Sequence, residues 1–269
     1  MTRKNWPPIV THAAAIVNSY STPVTLRQLF YRLVSDGTLA NSLGDYKTLS
    51  STTAQARREG WFPTLLDMTR TTEVAPSWSS PKAFIDSVIP QYARDHTEGQ
   101  ETMLVLGAEK ATLKAQLEHW FGHLHVPTVV LRGYSSQTYT DDVRDMVISD
   151  GRPGVLLYVG DLDPSGEDID RDFVARTDCW KHVERIAVKG PHVTTYGLTK
   201  QPGKAKDARA AAFVAKHGSL YQVEVEALDP NDLKTLVETA VNGWWNDDAY
   251  DACLTQEKKD RKELRKRFS

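Results

Sequence analysis

Glu109, Asp161 and Asp163 are the residues of this 269-residue chain whose types and spacing suit chemistry most directly. Glu109 stands in Gly107-Ala-Glu-Lys110, directly after the apolar run Met103-Leu-Val-Leu. Asp161 and Asp163 stand in Gly160-Asp-Leu-Asp-Pro-Ser-Gly166, directly after Val155-Leu-Leu-Tyr-Val159. Both runs have the pattern of short buried strands, and an open α/β sheet places its ligands at the carboxyl ends of its strands. Two aspartates two residues apart at a strand end project to the same side. Three carboxylates converging there would repel unless a cation sat between them, and hard oxygen ligands favour Mg²⁺ or Mn²⁺. Such an ion brings a phosphate into reach and stabilises charge during phosphoryl transfer. A lone D-x-D more often makes a turn or caps a helix, and Ser165 could cap the helix that follows. The paired Glu109 at a second strand end favours the metal reading. The same string also fits a calcium loop at Asp161, Asp163, Ser165, Gly166 and Asp172. That reading fails because the preceding segment has a strand pattern, proline sits inside the loop, and Asp stands where a bidentate Glu is needed.

A second candidate lies in Val24-Thr-Leu-Arg-Gln-Leu-Phe-Tyr31. Arg27 and Tyr31 are spaced i, i+4 and share one helix face. A cation beside a phenol favours the phenolate and can also hold a phosphate, which suits a tyrosine that attacks a phosphodiester. A tyrosine beside a phenylalanine on an apolar helix is more commonly a packing residue. Arg27, Arg57, Arg58 and Lys110 are the cations expected to meet DNA phosphates. His119 and His123 share a helix face but lack the intervening glutamate of a zinc helix, so with His125 they read as capping or solvent-facing residues. Ser135 and Ser136 read as polar loop groups, and the basic C-terminal tail as a solvated helix face. No phosphate-binding Gly-rich loop with lysine is present, so the chain shows no sign of using ATP.

Three regions must position these residues. Residues 1–80 read as short helices: one from Ile9 to Tyr20 behind Pro7 and Pro8, one from Leu26 capped by Thr25 and stopped at Asp36-Gly37, and one from Asp45 to Glu59. Short helices joined by tight turns build helix-turn-helix and winged-helix modules, and Lys and Arg outnumber acids here. Thr71 to Pro81, rich in Thr, Ser and Pro, reads as a linker or wing, and Pro81 opens a helix to about His96. Residues 81–198 hold strands at 103–107, 128–132, 155–159 and 185–189, with helices at 110–123, 141–148 and 167–176 between them. That alternation predicts an α/β unit with a Rossmann-like, mainly parallel sheet. Residues 199–269 read as a helical C-terminal extension.

Bulk properties agree without deciding anything. The formal net charge of −2 does not announce a nucleic-acid binder, yet a polyanion needs only a local basic face. Cys179 and Cys253 stand far apart, which argues against a disulfide framework and suits a reducing cytosol. No apolar run approaches the ~18 residues needed to span a bilayer, and the first residues hold no apolar signal region. An intracellular, soluble, cytoplasmic protein is expected.

Glu109 in its G-A-E-K turn, followed by Asp161-x-Asp163-Pro-x-Gly166, resembles a Toprim domain, most closely that of the topoisomerase VI A subunit. Thr25, Arg27, Leu29, Phe30 and Tyr31 resemble the T-x-R-x-[IL]-[FY]-Y run of that subunit and of the meiotic double-strand-break transesterases. The order of the two motifs matches as well. Lys206, Asp207, Arg209 and Glu224-Val-Glu226-Ala-Leu are similar to the compact topoisomerase mini-A group. The resemblance implies an N-terminal winged-helix domain, a Toprim domain with Mg²⁺ on Glu109, Asp161 and Asp163, and Glu109 in proton transfer. It implies Tyr31 as nucleophile in a type IIB-like cleavage of double-stranded DNA. It also implies a homodimer, with Tyr31 of one protomer beside the metals of the other, and a separate ATPase subunit for strand passage. A hydrolytic Toprim nuclease, of the kind found in defence-type plasmid nucleases, is the alternative. A non-catalytic DNA-binding module is the third. Glu226 fits a place near the metal or, more simply, a strand or helix start.

Overall fold

The computed structural model describes residues 4–20, 23–67, 74–131, 133 and 135–268. Thr71, Thr72 and Glu73 of the expected linker lie outside them, as do Arg132 and Tyr134 beside Ser135.

Helix α1 (Trp6–Ser19) starts on Pro7 and Pro8, whose missing amide hydrogens cost nothing in a first turn. Helix α2 (Leu26–Ser35) carries the expected cap. Gln28 N donates to Thr25 Oγ1, and Thr25 N donates to the Gln28 side chain. Helix α3 (Leu43–Arg58) begins on Ser42, slightly before the expected Asp45, because the Ser42 hydroxyl accepts from Asp45 N. Leu29, Leu33 and Leu49 are fully buried where these helices meet. Helix α4 (Pro81–Val88) ends well short of His96. Pro90 has no N–H to continue the ladder, and the chain tightens into one 3₁₀ turn at Ile89–Gln91.

Next comes a mixed α/β unit around a four-stranded parallel sheet, in the order β2 (Thr128–Val130), β1 (Met103–Ala108), β3 (Gly154–Val159), β4 (Trp180–Ala187). The two central strands are buried at every position, which is why they read as unbroken apolar runs. Strand β4 starts at Trp180 rather than Arg185 and stops at Ala187. Its first half lies at the sheet edge with Lys181, His182 and Val183 exposed, so no apolar pattern marks it.

Between the strands run α5 (Ala111–Phe121), α6 (Gln137–Asp150) and α7 (Pro164–Thr177). Val147 of α6 and Phe173 of α7 pack with Leu156 and Tyr158 on one face of the sheet. Leu113 and Leu117 of α5 pack on the other face with Leu157, joined there by Leu228, Leu233 and Val237. The C-terminal region is therefore mostly helical, as expected, and also completes the sheet's second apolar layer. Its elements are α8 (Gly190–Thr195), β5 (Gln201–Pro202), α9 (Ala210–His217), β6 (Tyr221–Gln222), α10 (Pro230–Asn242) and α11 (Asp247–Phe268), with β5 and β6 pairing antiparallel. No helix among the described residues is long and apolar enough to cross a membrane.

Candidate functional site

The sheet register sets the acids side by side. Gly107 pairs with Tyr158 and Ala108 with Val159, so Glu109 and Gly160 leave the sheet together. Glu109 N donates to Val159 O at 3.0 Å, and Asp161 N donates to Glu109 Oε2 at 2.7 Å. The next two residues stay extended. Leu162 is fully buried and forms an antiparallel bridge with Val223. Asp163 then caps α7, its Oδ1 accepting from Gly166 N at 2.6 Å and from the Ser165 hydroxyl at 2.8 Å. The cap is thus Asp163, not Ser165. Glycine is required at two places in this turn. A Cβ on Gly160 would run into the Tyr158 hydroxyl and lie 2.9 Å from Glu109 Oε2, and one on Gly166 would run into Asp161 O. Arg185 holds the turn from below, donating to Asp161 O at 3.0 Å and Gly166 O at 2.8 Å.

Burial governs the charges here. Asp161 is 7% exposed, and removal from water pushes its carboxyl well above the usual carboxylate range. Burial also raises Glu109, against the Asp161 N–H and Lys110, which oppose it. Both acids therefore favour a cation close by. Lys110 supplies one. Its ammonium lies 2.6 Å from Asp161 Oδ2, touches Glu224 and lies 3.4 Å from Glu226. Burial alone would lower the Lys110 pKa, but Asp161, Glu226 and Glu224 outweigh it and raise it. Asp161 Oδ1 also accepts from Val225 N at 2.9 Å.

Tyr31 belongs to the same constellation. Arg27 Nη2 donates to Tyr31 Oη at 3.2 Å and to Glu224 Oε2 at 3.0 Å, while Arg27 Nε donates to Glu226 Oε2 at 2.7 Å. The guanidinium also sits over the Tyr31 ring, 5.0 Å from its centroid. Arg27 does favour the phenolate, as expected, but burial, with Glu224 adding to it, outweighs Arg27 and Lys110 and raises the Tyr31 phenol to about 12.

Not every expected cation gathers at the acids. Arg57 lines a cleft of about 460 Å³ with Thr25, Arg27, Tyr46, Ser50 and Thr112. A second cleft, about 300 Å³, is lined by Arg27, Tyr31, Ser42, Leu43 and Tyr46. Arg58 instead donates to Gln55 on its own helix. A wider cleft of about 550 Å³, lined by Thr102, Trp244 and Trp245, lies before the amino end of β1, away from the acids. His125 stacks on His96, whose Nε2 lies 2.9 Å from Glu257. Ser136 caps α6. Arg209 pairs with Asp207 and Asp168.

Glu224 and Glu226 are the site residues that sequence reasoning missed or placed second. Glu226, 2% exposed, lies in the 3₁₀ turn Val225–Ala227 and binds Arg27 and Lys110. The available signal was two acids alternating with buried valines in Val223-Glu-Val-Glu226, since a charge in a buried stretch needs a partner. Among the described residues, no three His, Cys, Asp or Glu side chains form a ready-made metal cage. What is present is an acid cluster with lysine in the cation position. Neither models of known protein families nor curated proteins give a match to this chain.

Proposed function

We propose that this chain is a Mg²⁺- or Mn²⁺-dependent enzyme that cuts double-stranded DNA. In this reading residues 1–80 form a winged-helix DNA-binding domain, residues 81–198 a Toprim domain and residues 199–269 a helical extension. Tyr31 is the nucleophile of a type IIB-like transesterase acting as a homodimer, and a separate ATPase subunit would be needed only for strand passage. The observation that carries the reading is the continuous contact set Tyr31–Arg27–Glu224–Lys110–Asp161, which ties a phenol to the acid at the end of β3, whose N–H in turn binds Glu109 at the end of β1.

The donor chemistry fits a hard divalent ion. Burial raises both Glu109 and Asp161 even with Lys110 opposing the rise, so a further cation beside them would be favourable. Glu109 uses only Oε2 and Asp163 only Oδ1 in hydrogen bonds among the described residues. The Tyr158 hydroxyl is buried without a hydrogen-bond partner among the described residues, and like Glu109 Oε2 it crowds Gly160. Glu109, Asp161 and Asp163 would hold the ion, with Lys110 displaced from Asp161. When bound, the ion would screen phosphate charge and stabilise the crowded phosphorus of the transition state.

The chain's own groups do the rest. Arg27, with Arg57 along the cleft, would hold a phosphate and orient Tyr31. The Tyr31 oxygen bonds to phosphorus as the bond to the 3′ oxygen breaks. The phenol proton passes to a carboxylate, and the 3′ oxygen takes up a proton as it leaves. The product is a 5′-phosphotyrosyl end and a free 3′ hydroxyl.

One observation favours the hydrolytic nuclease instead. A phenol raised to about 12 is a reluctant nucleophile near neutral pH. Water would then attack, and Tyr31 would only pack against Arg27. Supercoiled plasmid incubated with the protein and Mg²⁺, then denatured with and without protease, separates the two. The transesterase leaves protein on the 5′ end of each cut, and Tyr31→Phe abolishes cutting. Free ends with an active Tyr31→Phe variant would sink the transesterase, and intact plasmid with every divalent metal would sink cleavage altogether.

A further inference from the structure

The last three turns of α11 sort their charges by face. The acids there all turn to partners. Glu257 meets His96, Arg94 N and Arg261, Asp260 meets Tyr92 and Arg94, and Glu263 pairs with Arg267. Arg261 also faces the body of the protein, donating to Tyr92 O at 2.8 Å. With the inner face fixed in this way, Lys258, Lys259, Lys262, Arg265 and Lys266 are all exposed. At 3.6 residues per turn they fall within about a third of the helix circumference. From Lys258 to Lys266 no acid and no apolar side chain shares that arc. Among the described residues, the ion pairs of this stretch fall on Arg261 and Arg267, and none on Lys258, Lys259, Lys262 or Lys266.

Lys262 is the centre of the stripe. Its four neighbours on the helix face, three and four residues to either side, are Lys258, Lys259, Arg265 and Lys266. Like charges at these spacings work against the helix. A helix face that needs only solubility alternates its signs, as Lys114–Glu118 and Lys234–Glu238 do elsewhere in the chain. The helix dipole favours Arg265, Lys266 and Arg267 in the last turn. Its effect fades within that turn and does not reach Lys258, Lys259 or Lys262.

We infer that this stripe is a docking surface for the phosphate backbone of double-stranded DNA. Lys258 and Lys266 stand about 12 Å apart along the axis at ~1.5 Å per residue. That is the rise of about three base pairs along one strand, so successive lysines can each meet a phosphate. Lysine is a flexible point charge, which suits attraction to the backbone without reading of bases. A lipid surface would call for apolar side chains beside the cations, and the arc has none. Helix α11 packs on the loop before β1, at the amino end of the sheet, so the stripe lies away from Glu109, Asp161 and Asp163. It adds a DNA contact to the proposed function and does not require that the DNA be cut.

The test is binding of a short labelled duplex by the full chain in EDTA, followed by fluorescence anisotropy from roughly 50 to 200 mM salt. A Lys258→Gln/Lys259→Gln/Lys262→Gln/Lys266→Gln chain is compared with wild type and with a chain carrying Arg at the same four positions. Four phosphate contacts at about 0.9 each predict a plot of log affinity against log salt that is shallower by about 3 in the Gln chain, with affinity at the lowest salt down about tenfold or more. The Arg chain should keep the wild-type slope, and the Gln chain should melt no lower than wild type. An unchanged slope in the Gln chain, a wild type that binds no duplex, or a Gln chain that melts well below wild type would overturn the inference. Loss of binding to phosphatidylserine vesicles with unchanged DNA binding would overturn it in favour of a membrane. Plasmid cutting separates this proposal from the cleavage reading. Stripe-dependent binding by a protein that cuts nothing would defeat cleavage and uphold the stripe, and cutting with an unchanged slope would do the reverse.

Discussion

At the residue scale, the site depends on how charge is shared among a few buried groups. Lys110 is the pivot, since it neutralises Asp161, Glu224 and Glu226 together. Lys110→Met should lower the melting temperature in EDTA, and millimolar Mg²⁺ should restore part of it, because a divalent ion can take over the lost charge. A thermal melt with and without Mg²⁺ checks this; a loss that Mg²⁺ does not touch would contradict it. Tyr31 should titrate near 12 in an ultraviolet difference experiment against Tyr31→Phe, above the ordinary 10.0. A phenol raised in the folded state contributes stability that is fully present below about pH 10 and lost as pH climbs through 12. Ionisation at the ordinary value would show that burial and Glu224 do not control it. Gly160→Ala should cost about 1–3 kcal/mol and disturb Glu109, since its methyl group has no room beside Tyr158.

At the element scale, caps and strand ends do the positioning. Helix α2 carries both Arg27 and Tyr31, and its first turn is held by the reciprocal Thr25–Gln28 cap. Thr25→Ala should destabilise the protein by about 1 kcal/mol in a denaturant melt and blunt activity beyond that loss, as Arg27 lies two residues from the cap. Most of this layer was legible in the sequence. Central strands β1 and β3 read as apolar runs because both their faces are buried, and Glu109 and Gly-Asp-Leu-Asp follow them at once. Helix starts at Pro7, Thr25 and Pro81 were legible because their chemistry is local. The early half of β4 was not, since an edge strand with exposed Lys181, His182 and Val183 has no hydropathy signal. The end of α4 was overrun because Pro90, which has no N–H for the helix ladder, was not read as its stop.

At the scale of the whole molecule, the contacts that complete the site are remote in sequence. Arg27 and Glu226 are 199 residues apart, and nothing local in either segment announces the other. That is why Glu109, Asp161 and Asp163, each just past a strand, could be read as a group while the pairing of Glu224 and Glu226 with Arg27 could not. The C-terminal region matters for the same reason. It supplies Leu233 and Val237 to the sheet's second apolar layer, and α11 anchors the loop before β1 through Glu257, which meets His96, Arg94 N and Arg261. Burial works against the Glu257 charge, but these three partners outweigh it and hold its carboxyl below the usual range. A lowered carboxyl contributes stability that is present above the ordinary glutamate pKa and lost as pH falls below it. Glu257→Gln should therefore flatten the acid side of the stability curve and cost about 1–3 kcal/mol near pH 7. An unchanged acid limb would place the stabilisation elsewhere.

The account's central claim is that Glu109, Asp161 and Asp163 together seat a divalent ion. Titration of Mn²⁺ into the protein, followed by the loss of the free-ion electron paramagnetic resonance signal, measures this without DNA or turnover. Saturable binding is predicted for the wild-type chain, lost in Asp161→Asn and weakened in Glu109→Gln and Asp163→Asn. Wild-type binding that survives all three substitutions, or no saturable binding at millimolar Mn²⁺, would contradict it.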